Sequence, residues 1–292
     1  MRLQFSFMFM IKIICDSQYF SIKDTLECGQ VFRFAPYEKG YLVYSKDKCA
    51  YCYNQENLAI IECDDDDEDY FYKYFDLSRD YSKIYFGAIN SEFDILKNSA
   101  TVGKGIRILN QDVTETLFSF VISQNNNIPR IKGILGRLCN ALGERKEFGD
   151  KSYYTFPSAQ KMAQTPLEFY KQIGLGYRAE YILRLARSMV GGLNLTALCE
   201  LETPALKNKL VALHGVGPKV ADCVTLFGYH RGDSFPVDTW IEKVYREDFN
   251  GKLNNRKQIT DWFLSLFKEN AGYYQQYLFH YKRLQEKNAQ TQ

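Results

Sequence analysis

Histidine, proline and tryptophan are scarce in this 292-residue chain, at three, seven and two copies. No stretch approaches the roughly 18 uninterrupted apolar residues of a membrane-spanning helix, so no membrane span is expected. No repeat of fixed period marks a solenoid or a propeller. Paired cysteines are also scarce. The eight cysteines, at 15, 28, 49, 52, 63, 139, 199 and 223, are scattered and fit reduced, mostly buried thiols of an intracellular protein. Only Cys49 and Cys52 have the spacing of a metal knuckle or redox motif. They lack a second pair, and His214, His230 and His280 lie far away, which disfavours zinc. After Cys223 there is no cysteine at all.

Hydrophobic residues make up 46% and charged residues 25%, an ordinary globular balance able to bury a core. Twenty-two tyrosines and 21 phenylalanines supply rings that fit a core or stack on nucleic-acid bases. The net charge of +2 hides an asymmetry. Residues 1–100 carry 11 Lys/Arg against 17 Asp/Glu, and the remainder 26 against 18. The basic excess points to an anionic partner on the C-terminal two-thirds, or to an ordinary solvated surface.

The apolar start from Met1 to Cys15 is broken by Lys12 and has no small-residue cleavage site. Its alternation predicts a strand rather than a signal peptide, with Met8 or Met10 as alternative starts. Further strands are expected at Gln30–Phe34, Tyr41–Tyr44 and Leu58–Ile61. The acidic run from Asp64 to Asp69 reads as a solvated turn, or less readily a metal site, leading into a helix at Tyr70–Phe75. From about residue 110 the periodicity becomes helical. Asp112 with Glu115 resembles a capping box, and Ile128, Ile131, Leu135, Leu138 and Leu142 share a face that stops at Gly143. Helices are expected over Tyr177–Met189, Pro204–Leu213, Pro218–Phe227, Thr239–Asp248, Arg256–Phe267 and Gly272–Leu284.

The most informative segment joins two apolar helices through Gly215-Val216-Gly217-Pro218-Lys219. Gly215 and Gly217 permit positive φ and close backbone approach, and Pro218 opens a helix whose free N–H groups suit a phosphate. Lys219 lies in the first turn, where dipole and burial are both expected to depress its pKa, as an amine nucleophile requires. The bland reading is an exposed lysine at small cost. Nineteen residues on, Asp238 in Phe235-Pro-Val-Asp-Thr239 reads as a helix N-cap. Alone it is only a cap; beside Lys219 it can orient the amine and stabilise positive charge on a sugar.

Residues 210–227 with Asp238 resemble the helix-hairpin-helix Gly/Pro-Asp signature of the DNA glycosylase superfamily that includes endonuclease III. The segments Phe118–Ile131, Ile173–Tyr181 and Cys28–Arg33 narrow the resemblance to the 8-oxoguanine DNA glycosylase/AP lyase family, across about residues 20–285. The resemblance implies an α+β protein in which an antiparallel-sheet domain, residues 1–105, packs on a helical bundle, residues 106–292. The hairpin falls at about 204–227 and the Pro-Val-Asp motif at 236–238. It also implies that Lys219 attacks C1′ of an extruded nucleotide, forms a Schiff base and nicks the strand by β-elimination, with Asp238 assisting.

By the same resemblance Asn125, Arg130, Tyr177 and Arg178 fill the vacated duplex and read the opposite base, with Gly215 and Gly217 on the backbone. Gly29 offers a carbonyl to the N7–H of 8-oxoguanine, Gln275 reads the Watson–Crick edge, and Phe279 and Cys223 sandwich the base. Trp240 departs from the family, whose animal members usually carry His there. No cofactor is implied beyond a structural cation bridging the hairpin to a phosphate, and the absent C-terminal cysteines argue against an iron–sulfur cluster. The partner is damaged double-stranded DNA, the location cytoplasm, nucleoid or nucleus, and nothing demands more than a monomer. An alkylated-base glycosylase would use Asp238 without Lys219, and a non-catalytic hairpin module would need neither.

Overall fold

A computed structural model describes residues 10–289. Five strands form one antiparallel sheet: β1 (Met10–Asp16), β2 (Phe34–Tyr37), β3 (Gly40–Ser45), β4 (Lys48–Gln55) and β5 (Leu58–Asp64), in the order β1-β5-β4-β3-β2. The strand expected from Met1 is present from Met10; residues 1–9 lie outside the described residues. Alternation sorts the side chains by face. Ile13, Val43, Ala50, Cys52 and Ile61 pack on Phe20, Phe71 and Phe75, beneath α1 (Ile22–Glu27) and α2 (Glu68–Tyr74). Leu42, Cys49, Tyr51, Tyr53 and Ile60 face the other way, against Phe148 and Tyr153 of a hairpin, β6 (Arg145–Phe148) and β7 (Lys151–Tyr154). Cys49 and Cys52, three apart on a strand, therefore point to opposite faces and cannot share a metal. Of the acidic run, Asp67 turns inward to an ion pair with Lys48.

The expected strand at Gln30–Phe34 is a correction, because only Phe34 enters the sheet. The buried Gln30 amide donates to the carbonyls of Thr25 and Arg107, and its Oε1 accepts from Leu109 N–H. These side-chain bonds hold the segment as a seam between sheet and helices. Arg33 extends the seam through an ion pair of 2.9 Å with Glu115, both side chains under 10% exposed. Glu115 also accepts from Lys46 N–H at 2.8 Å. The capping box is thus half made: Asp112 caps Glu115 N–H, but the Glu115 carboxylate serves the seam instead.

The helices are α3 (Tyr81–Ile89), α4 (Asp94–Val102), α5 (Val113–Ser123), α6 (Ile128–Leu142), α7 (Ala159–Gln164), α8 (Leu167–Gln172), α9 (Arg178–Val190), α10 (Thr203–Val211), α11 (Pro218–Phe227), α12 (Thr239–Glu247), α13 (Arg256–Phe267) and α14 (Ala271–Ala289). They share one core, which α3 and α4 enter through Tyr81, Leu96 and Ala100 beside Tyr277 of α14. Each buried aromatic there contributes about 2–3 kcal/mol of apolar transfer. Among the described residues no helix is long and apolar enough to cross a membrane.

Candidate active site

A cleft of about 1720 Å³ runs between the hairpin, the α5–α6 loop and the C-terminal helix. Helices α10 and α11 form its hairpin edge. Gly215 has φ +82°, and a Cβ there would come within 2.4 Å of the Tyr181 ring, so glycine is required twice over. Gly217 differs from expectation: its φ is −87°, and it caps α11 with open space before it. Pro218 occupies the first helical position, and Lys219 follows at the second. The half-buried Lys219 amine lines the cleft and lies 5.1 Å from the centre of the Phe120 ring.

The depressed pKa expected for Lys219 is not what its surroundings produce. Burial does pull the ammonium down, but the Cys223 sulfur, the Asp238 carboxylate, an amine hydrogen bond to Cys223 and Asp222 together outweigh it. The group stands above its ordinary value. Cys223, one turn along, is pushed up to about 11 by burial, with the Lys219 amine opposing that rise. An ammonium at Lys219 must lose a proton before the amine can act as a nucleophile. Asp238 is the N-cap of α12, its Oδ1 accepting from Trp240 and Ile241 N–H at 2.9 and 3.0 Å, and it lines the cleft. Trp240 stands at the same edge, with Lys243 Nζ 5.5 Å from its ring centre.

Three consecutive asparagines build the loop across the cleft. Asn125 is exposed at φ +46°, a conformation asparagine tolerates. Asn126 donates to the Ile122 carbonyl, and Asn127 caps α6 by accepting from Arg130 N–H. Tyr177 is 54% exposed on the cleft rim. Arg130 is exposed outside the lining and donates to the Gly174 carbonyl. Arg178, expected to reach a base, is buried and donates to the carbonyls of Gln124, Asn125 and Leu175, so in this state it holds the loop. Gln124 in turn donates to the Gly215 carbonyl at 2.8 Å, tying loop to hairpin.

The far wall joins distant parts of the chain. Gly29, at φ +93°, lies against Phe279, and a Cβ on it would sit 3.1 Å from that ring. Gln276 holds the two segments together by donating to the Cys28 carbonyl at 2.8 Å. Gln275 and Cys223 lie just behind the lining, both over 90% buried. Gln275 donates to the Pro236 carbonyl, while its Oε1 has no protein partner. Arg283 also lines this wall and escaped the reading of the sequence, as did Phe120 and the Lys207–Asp222 ion pair. Extending the four-residue stripe of Gln275 and Phe279 by one step would have found Arg283; nothing in the sequence pointed to Phe120.

Comparison with known proteins identifies the family and the fold. Residues 12–117 match the family described as 8-oxoguanine DNA glycosylase, N-terminal domain, and residues 118–269 match the HhH-GPD superfamily of base excision DNA repair proteins. The structure superposes with TM-score 0.88 on a Clostridium acetobutylicum 8-oxoguanine glycosylase/lyase in complex with double-stranded DNA containing cytosine opposite 8-oxoguanine. That protein is 33% identical, with 95% of this chain and 98% of that one covered. A second structure, of MBOgg1 with a low-affinity DNA ligand, is 35% identical at TM-score 0.89, covering 94% and 96%. A Saccharomyces cerevisiae N-glycosylase/DNA lyase is 34% identical over 178 residues, 56% of this chain and about half (47%) of the yeast protein. The chain belongs to the 8-oxoguanine DNA glycosylase family within the HhH-GPD superfamily.

Proposed function

We propose that this family member releases 8-oxoguanine from duplex DNA and then nicks the strand, with Lys219 as nucleophile and Asp238 as its charged partner. The observation that carries the reading is an amine and a carboxylate, each set at a helix N-terminus and both lining one cleft. The ammonium first gives up a proton, and Asp238 favours the positive charge that develops on the sugar. The amine lone pair then forms a bond to C1′ while the C1′–N9 bond breaks, and the base leaves with that electron pair and takes up a proton. Ring opening yields the imine. Loss of a C2′ proton expels the 3′-phosphate and completes the nick.

Base extrusion leaves a gap, and Asn125 and Tyr177 at the exposed rim are the groups able to fill it. Arg130 reaches the opposite base by releasing its one bond to the Gly174 carbonyl, and Arg178 by releasing the loop carbonyls. The unpaired Oε1 of Gln275 is an acceptor for the N–H donors of a guanine Watson–Crick edge, Phe279 stacks on the ring, Gly29 borders it, and Cys223, just behind the lining, backs the other side. Gly217 and the N-terminus of α11 meet a phosphate. A cation at the hairpin would be held by its backbone carbonyls, of which that of Gly215 already accepts one bond from Gln124. The chemistry requires neither a cofactor nor an iron–sulfur cluster, the protein acts as a monomer, and its substrate places it inside the cell.

Borohydride trapping on an 8-oxoguanine:cytosine duplex tests the reading, beside an undamaged duplex and Lys219→Gln. A lesion-dependent covalent adduct, absent from the variant, is the expected result. Base release without an adduct would mean a glycosylase that uses water instead of Lys219; neither adduct nor release would overturn the reading.

A further inference from the structure

Arg283 is the least satisfied cation of the cleft. Its Nη2 donates to the Glu27 carbonyl, but Nε and Nη1 are buried without a partner among the described residues. Nη1 lies 2.9 Å from where a Cβ on Gly29 would stand, and the guanidinium carbon is 5.5 Å from the centre of the Phe279 ring. Burial lowers the pKa of this arginine below its ordinary value, though it remains charged. A guanidinium cannot accept a hydrogen bond, and leaving its donors dry is costly. Two buried donors held against a ring and a bare glycine therefore await an acceptor that enters the cleft.

The acceptor's chemistry follows from the neighbours. A flat base stacked on Phe279 presents only its edge to Arg283, so the matching group is an oxygen in the plane of that base. A keto oxygen fits; an exocyclic amine would meet donors with donors. Resting on the function proposed above, we propose that Arg283 is a specificity-determining residue of the base pocket, its Nη1 donating to a purine carbonyl oxygen at the edge lying against Gly29. It selects purines that carry a keto oxygen at that edge position over those that carry an amine there.

The test compares wild type with Arg283→Leu and Arg283→Lys in two single-turnover assays: base release from 8-oxoguanine:cytosine, and nicking of a preformed abasic site opposite cytosine. The ratio of release to nicking is expected to fall about 10- to 100-fold in Arg283→Leu, the loss of one charge-assisted hydrogen bond. Arg283→Lys, which keeps one donor, should recover part of it. Melting of Arg283→Leu should stay near wild type, because losing the Nη2 bond to the Glu27 carbonyl is offset by removing two buried unpaired donors. A parallel fall in both assays would assign Arg283 to a phosphate or to folding and overturn the proposal, and so would an unchanged ratio. Failure of wild type itself to release the base sinks the proposed function and not this assignment. 8-Oxoadenine, which keeps O8 and has an amine at position 6, separates the two oxygens. The same fold loss on it assigns the contact to O8, and no further loss assigns it to O6.

Discussion

Two walls face each other across the cleft. On one, Lys219 and Asp238 lie nineteen residues apart, and each is placed by the rules of a helix N-terminus. The other is held by contacts across nearly the whole chain: Gln276 to the Cys28 carbonyl over 248 residues, and Arg283 to the Glu27 carbonyl over 256. The first wall carries reactive groups that local structure orients whatever surrounds it. The second carries acceptors, donors and rings that mean little until the chain's two ends meet. Chemistry resides on the local wall and discrimination on the assembled one, so the two should fail separately.

The largest effect is expected on the local wall. Lys219→Gln should lower base release and nicking together by at least about 10³-fold while lesion binding stays within a few-fold. Gel-shift and single-turnover assays would show this, and a variant that excises normally would refute the nucleophile. The raised pKa adds a direction: the wild-type amine is protonated at neutral pH, so single-turnover release should climb as pH rises above 7. A plateau from pH 7 would show instead that the folded protein depresses this pKa.

Next comes the seam that lets the assembled wall exist. Glu115→Gln leaves Arg33 buried without its counter-charge and should cost about 3–5 kcal/mol in urea unfolding. Asp238→Asn should slow chemistry about 10²-fold with little change in stability, since asparagine caps a helix equally well. Equal losses of binding and rate would reduce Asp238 to a cap.

Gly29→Ala is expected to cost about 1–2 kcal/mol from its positive φ and to impair base release more than abasic-site nicking, because the new methyl meets Arg283 and Phe279. An effect confined to acid pH belongs to Asp222, whose carboxyl burial pushes up to about 6, above the unfolded value near 3.8. The folded state then holds an extra proton between about pH 4 and 6, so wild-type stability relative to Asp222→Asn should rise as pH falls through that window. The gain should be on the order of 1–3 kcal/mol, and parallel melting curves would exclude it.

Legibility in the sequence followed the same division. Helices α9 to α14 end within a few residues of where periodicity, Pro218 and Asp238 put them, because caps and amphipathic spacing are short-range. Gln30–Arg33 misled, since alternation there arises from a seam and not from strand pairing. Strand β4 was hidden behind the spacing of Cys49 and Cys52, whose side chains the pleat sends to opposite faces.

The hairpin, the position of Lys219 at the start of α11 and Asp238 as the cap of α12 could be read from the chain alone. Each depends on neighbours within about one helical turn, where backbone geometry leaves few alternatives. The upward shift of Lys219, the binding of Arg178 into the loop and the placing of Arg283 beside Gly29 emerged from long-range packing. Electrostatic environment and burial are sums over residues far apart in the chain, and a sum of that kind has no local signature.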